Sequence, residues 1–232
     1  MSLNALIVGA GEGISAAFAR ALHNEGARIV LAARDAGKLA NLAKDVGGIA
    51  VACDAGKPDD VAALFRRTDQ QLGPLDVVLF NASARARGPL IDLDPNDVAN
   101  ALTIGAFGGF LVGQEAARRM LPRGTGAIFF TGASASIKGY AQSAPFAMAK
   151  FALRGLAQSM ARELTPKGIH VAHFIIDGGV KNAARGTVEA PGGPPDQFLD
   201  PVAIAQSYMS VLKQPRSAWT WELELRPWVE KF

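Results

Sequence analysis

A single cysteine, Cys53, in a chain of 232 residues excludes an intrachain disulfide and supplies no metal-binding pattern. Histidine is almost as scarce. His173 lies in an apolar run that reads as a strand and His170 directly before it, three places away, so they point to opposite faces and make no metal pair. No apolar run is long enough to span a bilayer, and a strand begins almost at once at Ala5, leaving no room for a signal peptide. A cytoplasmic protein without a membrane partner is expected. Charge is sparse at 19% of residues and nearly balanced, with 24 Lys and Arg against 21 Asp and Glu for a net +3. The basic residues come in scattered pairs such as Arg66-Arg67 and Arg118-Arg119, which argues against nucleic acid as a partner. What the chain has in quantity is apolar side chains, 49% of the total, a globular composition and not a disordered one. Its length suits one compact α/β domain, residues 1–232, with a substantial core.

Short apolar runs at residues 5–8, 28–33, 49–53, 77–80, 127–130 and 171–176 read as strands buried on both faces. Helix-like stretches separate them at 14–25, 36–46, 58–72, 96–121 and 144–164, with Pro58 and Pro95 placed as first-turn residues. This alternation predicts a Rossmann-type, doubly wound and mostly parallel sheet with helices on both faces. Residues 219–225 alternate apolar and polar and predict a seventh strand at an edge. Residues 181–199 are too rich in Gly and Pro to hold a long helix. They follow the sixth strand and so lie over the crevice at the strands' carboxyl ends, either as a substrate lid or as a plain connecting loop.

Two stretches point to chemistry. Gly9, Gly11 and Gly13 follow the first strand, and Ile14 and Ser15 open the first helix. Glycine allows a tight turn and close approach of backbone to a pyrophosphate, whose charge the helix N-terminus favours. Phe146 stands four residues before Lys150, on one face of a predicted helix and one turn apart. Together the glycine-rich turn and Phe146-x-x-x-Lys150 resemble the short-chain dehydrogenase/reductase family, whose Tyr-x-x-x-Lys motif has its tyrosine replaced here by phenylalanine. The resemblance covers essentially the whole chain.

The family's pattern implies a nucleotide site made of Gly9, Gly11, Gly13, Ile14, Asp54, Ala55, Asn81, Ala82 and Lys150. Ser15 stands in place of a glycine, either as a phosphate donor or as a small packing residue. Relatives that prefer NAD carry an acid at the end of the second strand; here Ala33 and Arg34 stand there, which implies NADP(H), its 2′-phosphate met by a charge-assisted contact. The implied activity is oxidoreduction of a small organic carbonyl or alcohol, with Lys150 holding the nicotinamide ribose. The alternative is a catalytically silent nucleotide-binding or scaffold protein, because a benzene ring has no proton to give. The serine position falls on Ala133, with Ser134 one place late and Ser136 three, and the helix asparagine falls on Gly105. Tyr140 and Asp177 are the candidate substitutes for the proton donor. Arg85 and Arg87 either bind an acidic substrate or are simply solvated. The resemblance also implies a homodimer or homotetramer, pairing the two long helices and packing the last strand across a twofold axis.

Overall fold

Seven short strands, with hardly a polar side chain among the first five, line up side by side because both of their faces are to be covered. They are β1 (Asn4–Val8), β2 (Arg28–Ala33), β3 (Ile49–Ala52), β4 (Val77–Phe80), β5 (Gly126–Thr131), β6 (Ile169–Ile176) and β7 (Glu222–Leu225). The computed structural model describes residues 2–230 apart from Pro191 and Pro194. Every pairing is parallel, and the order across the sheet is β3-β2-β1-β4-β5-β6-β7. β6 is buried along its whole length, whereas β7 is only half-buried at the edge, as its alternating sequence predicts.

The winding reverses between β1 and β4. To one side the chain goes on to β2 and β3, to the other to β5, β6 and β7. Such a switch point leaves a crevice at the strands' carboxyl ends, where open α/β sheets bind ligands. Side chains alternate across the sheet to make two cores. Ala5 and Ile7 join Phe18, Leu22, Phe129, Phe174 and Tyr208 on one side. Leu6 and Val8 join Phe65, Phe80, Val112, Phe130 and Leu153 on the other. Phe129 is wholly buried, and truncating a buried Phe to Ala costs about 3–5 kcal/mol.

The helices that cover the sheet are α1 (Ile14–Asn24), α2 (Ala40–Asp45), α3 (Pro58–Leu72), α4 (Pro95–Leu102), α5 (Gly108–Met120), α6 (Ala144–Leu164) and α7 (Pro201–Leu212). Asp94 caps α4 by accepting the Asn96 N–H at 2.8 Å, and Pro95 begins that helix. Beyond shifts of one to three residues at element ends, the largest at the start of β7, three features differ from the sequence pattern. The stretch 36–46 opens as a 3-10 turn, Ala36–Leu39, before α2. The long helix 96–121 is broken by a π-helical turn, Thr103–Phe107, into α4 and α5. Helix α7, which the apolar runs did not announce, is capped by Asp200 through the Val202 N–H at 2.7 Å.

Residues 181–199 are anchored at both ends. Lys181 N–H reaches the Leu199 carbonyl at 2.9 Å, and Leu199 N–H reaches the Gly179 carbonyl at 2.8 Å. Pro191 and Pro194 of that segment lie outside the described residues.

Candidate active site

The crevice at the switch point is a cleft of about 1040 Å³, and it gathers residues from the ends of β1 to β6. At its first wall, Gly9 has φ +79°, and a Cβ there would stand 2.3 Å from the Ala82 nitrogen. No other residue lets the β1 turn and the β4 end come this close. The same junction is tied by side chains. Ser15, 1% exposed, donates its hydroxyl to the Gly9 carbonyl at 3.2 Å, and the Asn81 amide donates to that hydroxyl at 2.8 Å. Ser15 and Asn81 therefore brace the glycine turn. Of the two readings of Ser15, the structure displays internal bracing.

Gly13 caps α1 without a side-chain hydrogen bond, so the first-turn N–H groups of that helix have no side-chain cap. Gly11 looks onto open space, and Gly11, Gly13 and Ile14 all line the cleft. Uncapped N–H groups and a helix dipole fit a pyrophosphate. Arg34, exposed at the end of β2, lines the same wall and has no hydrogen bond or ion pair among the described residues. Its neighbour Asp35 is turned away to accept the Gly37 N–H at 3.0 Å. Asp54 and Ala55 line the cleft beyond β3, with the Asp54 carboxylate accepting the Gly56 N–H at 3.0 Å.

The second wall comes from β5, the π-helical turn and α6. Lys150, 4% exposed, donates from Nζ to the Thr131 carbonyl at 2.7 Å. Burial and then the Arg85 charge push its pKa down to about 7. An unfolded lysine keeps its proton to a far higher pH, so this group's contribution to stability rises as pH climbs from about 7 toward 10.5. Phe146 has Lys150 Nζ 5.9 Å from its ring centroid and carries the Arg85 guanidinium 4.1 Å over its face. Phe146 also packs on Ala133, Ala135 and Ala147. At Gly105, in the π-helical turn, a Cβ would stand 2.9 Å from the Ala149 Cβ. A side chain is excluded there by packing with α6.

Of the candidate proton donors, Tyr140 lines the cleft and is 46% exposed. Ser134 lines it half-buried, in a 3-10 turn that runs Ser134–Ser136. Asp177 is 3% exposed and accepts from Lys138 Nζ at 3.3 Å. Ser136 points the other way. It is wholly buried, accepts the Ala133 N–H at 3.2 Å and lies 3.4 Å from His173 Nε2.

His173 belongs to a chain of contacts that spacing did not reveal. Its Nδ1 is 3.0 Å from Glu222 Oε2, and Arg154 grips both oxygens of that carboxylate at 2.7 and 2.8 Å. Burial outweighs the Glu222 charge and takes the His173 pKa down to about 4, so the ring is neutral at pH 7. A Cβ on Gly132 would be 2.3 Å from His173 Nε2. His173 thus fixes the loop after β5 from beneath, and His170 on the opposite face stacks on Trp219 at 4.6 Å. Of the residues that the sequence places at the site, Ser15, Gly105 and Ser136 do not line the cleft and the others do. Among the described residues there is no group of three or more His, Cys, Asp or Glu side chains able to hold a metal ion. No helix among them is long and apolar enough to cross a membrane.

The short chain dehydrogenase family model matches residues 3–190. The chain belongs to the short-chain dehydrogenase family. A crystal structure of a short-chain dehydrogenase from Rhodopseudomonas palustris is similar over 98% of this chain and all of its own, with 37% identity and a TM-score of 0.84. An uncharacterised oxidoreductase of Staphylococcus aureus is 28% identical over 227 residues, 96% of each chain. The alcohol dehydrogenase of the archaeon Thermococcus sibiricus, complexed with 5-hydroxy-NADP, shares the fold. Its TM-score is 0.85 at 24% identity, covering 99% of this chain and 98% of that one. In this chain Lys150, Phe146 and Ala133 line the cleft, and Gly105 packs behind them against α6.

Proposed function

We propose that this chain is an NADP(H)-dependent oxidoreductase that interconverts a small organic carbonyl compound and its alcohol, working as a single dinucleotide-binding unit. The observation that carries the reading is the first wall of the cleft. An uncapped α1 N-terminus and Arg34, unpaired among the described residues, stand on the same cleft as buried Lys150. That wall fits a dinucleotide with a 2′-phosphate: α1 N–H groups for the pyrophosphate and the Arg34 guanidinium for the extra phosphate. The Thermococcus sibiricus protein of the same fold is complexed with a hydroxylated NADP.

When bound, the cofactor supplies a hydride at its nicotinamide ring. The chain's own residues do the rest. Asp54 and Ala55 border the adenine end, and Lys150 holds the nicotinamide ribose with its amino group while the Thr131 carbonyl fixes that group in place. Ser134 offers a hydroxyl to the substrate oxygen, and Tyr140 is the phenol that the cleft retains as a proton donor. Asp177, tied to Lys138, keeps a carboxylate at the far rim. General acid catalysis is worth about 10²–10⁴-fold, so a phenylalanine at position 146, with no phenol to donate a proton, slows this chemistry without abolishing it. Exposed Phe107, Phe110, Met148 and Phe151, on or beside the long helices, support assembly as a homodimer or homotetramer.

NADPH oxidation across a panel of aldehydes, ketones and oxo acids tests the proposal. Substrate-dependent turnover is expected. Tight NADPH binding with no turnover on any of them marks the protein as a silent nucleotide binder instead.

A further inference from the structure

Helix α6 reaches the loop after β5 from two successive turns. Lys150 Nζ donates to the Thr131 carbonyl at 2.7 Å, at the head of that loop. Arg154, one turn further along the same helix, grips both oxygens of Glu222 on β7 at 2.7 and 2.8 Å. From there the contacts lead back to the loop. Glu222 Oε2 lies 3.0 Å from His173 Nδ1, and His173 Nε2 lies 3.4 Å from Ser136 Oγ, which accepts the Ala133 N–H at 3.2 Å. Thr131 is thus held by Lys150 directly, and Ala133 by Arg154 through Glu222, His173 and Ser136.

Donors and acceptors run one way along this chain. A carboxylate gripped by arginine only accepts, so His173 Nδ1 carries the ring proton. Burial, with the Lys150 and Arg154 charges, outweighs Glu222 and keeps the ring neutral at pH 7. Its Nε2 is then an acceptor for the Ser136 hydroxyl, whose oxygen keeps a lone pair for the Ala133 N–H. Serine, histidine and acid in this order also make a nucleophilic triad. Here Ser136 and His173 are wholly buried and neither lines the cleft, so no substrate reaches the hydroxyl. What the chain fixes is backbone. A Cβ on Gly132 would meet His173 Nε2 and, at 2.8 Å, Ser136 Oγ, so the ring lies against the loop itself. The next residue but one is Ser134, which lines the cleft and has no hydrogen bond from its hydroxyl among the described residues. The backbone alone decides where that hydroxyl stands.

We propose that Arg154, Glu222, His173 and Ser136 form a positioning relay, which holds Ala133 and Ser134 so that the Ser134 hydroxyl meets the substrate oxygen. This rests on the reading of the cleft as a carbonyl–alcohol oxidoreductase site. None of the four side chains lines the cleft, and all act through Ser134. Strand β7, which also lines no part of it, takes part in the reaction through Glu222. Placement of this kind matters steeply, since a shift of about 1 Å in a reacting group costs on the order of 10²-fold in rate.

The test uses the full-length protein, NADPH and whichever carbonyl compound of the panel is reduced fastest. Ser136→Ala, which deletes one buried oxygen, should lower kcat by roughly ten- to a hundredfold and leave KM and NADPH affinity almost unchanged. Arg154→Met, at the far end of the relay, should lower kcat in the same way by a smaller factor. His173→Gln, which keeps an acceptor for Ser136, should fall between the native protein and His173→Leu. The deciding comparison adds Ser136→Ala to Ser134→Ala. Groups that act through one hydroxyl give a double variant no slower than Ser134→Ala alone. Losses that multiply in the double variant overturn the proposal, as does a native kcat in either single variant. A fall in NADPH affinity that matches the fall in kcat overturns it too, because the loop then serves the cofactor. If the native protein reduces no carbonyl compound, the oxidoreductase reading fails, and hydrogen exchange of the NADPH-loaded protein decides the relay. Faster exchange confined to residues 132–138 in both Ser136→Ala and Arg154→Met sustains it. No change in that loop, or a change spread through the sheet, rejects it.

Discussion

The two walls of the cleft face each other across one crevice and are built on different terms. The first, from β1, β2 and β4, presents mostly backbone to the cleft: the glycine turn and the uncapped start of α1, with one cation at Arg34. Its side-chain contacts, Ser15 to Asn81 and both to Gly9, hold the backbone in shape. The second wall, from β5, the π-helical turn and α6, depends on side-chain functional groups, and there Phe146, Ala133 and Gly105 offer none. The fold tolerates this because these residues pack. Phe146 seats on Ala133, Ala135 and Ala147, and Gly105 lies against Ala149. A backbone-made site cannot be altered without disturbing the sheet, whereas a side-chain-made one can be exchanged while the architecture stands.

The largest effect should come from the contact that defines the first wall. Gly9→Val puts a branched side chain at φ +79° against the Ala82 backbone, and a loss of about 3 kcal/mol or more is expected in chemical denaturation. Gly11→Ala, facing open space, should stay within about 0.5 kcal/mol of the native protein. Comparable losses at both positions would show that the β1–β4 approach is not what the glycine serves.

Next is the cation of that wall. Arg34→Ala should weaken NADPH binding by roughly ten- to a hundredfold in calorimetry and leave NADH almost untouched. A native preference for NADH would remove the basis for this assignment.

On the second wall, Phe146→Tyr restores a phenol one turn from Lys150 but should do little alone. Ala133 has no hydroxyl, and Gly105 has no room for a side chain. Adding Ala133→Ser should raise carbonyl reduction by more than the product of the single effects, since both groups act on one oxygen. If the native protein already outperforms the double variant, a native acid such as Tyr140 or Asp177 serves the reaction.

The smallest effects are those of pH on stability. His173 has its folded pKa lowered to about 4 from 6.5, so the unfolded state binds more protons in that window and stability falls as pH drops through it. Glu222, held below its usual range by Arg154 and His173 against the opposing effect of burial, adds to the acid loss below that. Lys150 acts at the other end, its contribution rising from pH 7 upward. His173→Gln should flatten the first slope and Lys150→Met the second, as read from melting temperature against pH. Slopes unchanged in both variants would place the titrating groups elsewhere.

The sequence carried the first wall more fully than the second. Its parts are local: glycines after an apolar run, Arg34 after Ala33, Asn81 after Phe80, each at a strand end that periodicity located within a residue or two. The π-helical turn was hidden because the helical pattern runs on through it, and only the packing of Gly105 on Ala149 breaks it. Helix α7 lies between a Gly- and Pro-rich segment and the edge strand, and its local signal is confined to the apolar spacing of Ile204, Tyr208 and Val211. The Arg154–Glu222–His173–Ser136 chain joins four separate segments, so no local signal announces it. The Arg85 stack on Phe146 is likewise tertiary, although the Ser83, Arg85, Arg87 alternation was there to be read.

The separation of the two walls is tested most directly by a double-mutant cycle of Arg34→Ala and Tyr140→Phe, reading NADPH affinity and the kcat of carbonyl reduction in all four proteins. Independent walls predict that Arg34→Ala moves only the first quantity and Tyr140→Phe only the second, with additivity within roughly 0.5 kcal/mol in the double variant. Two single variants that both weaken NADPH binding to a similar degree, or a strongly non-additive double variant, would contradict it.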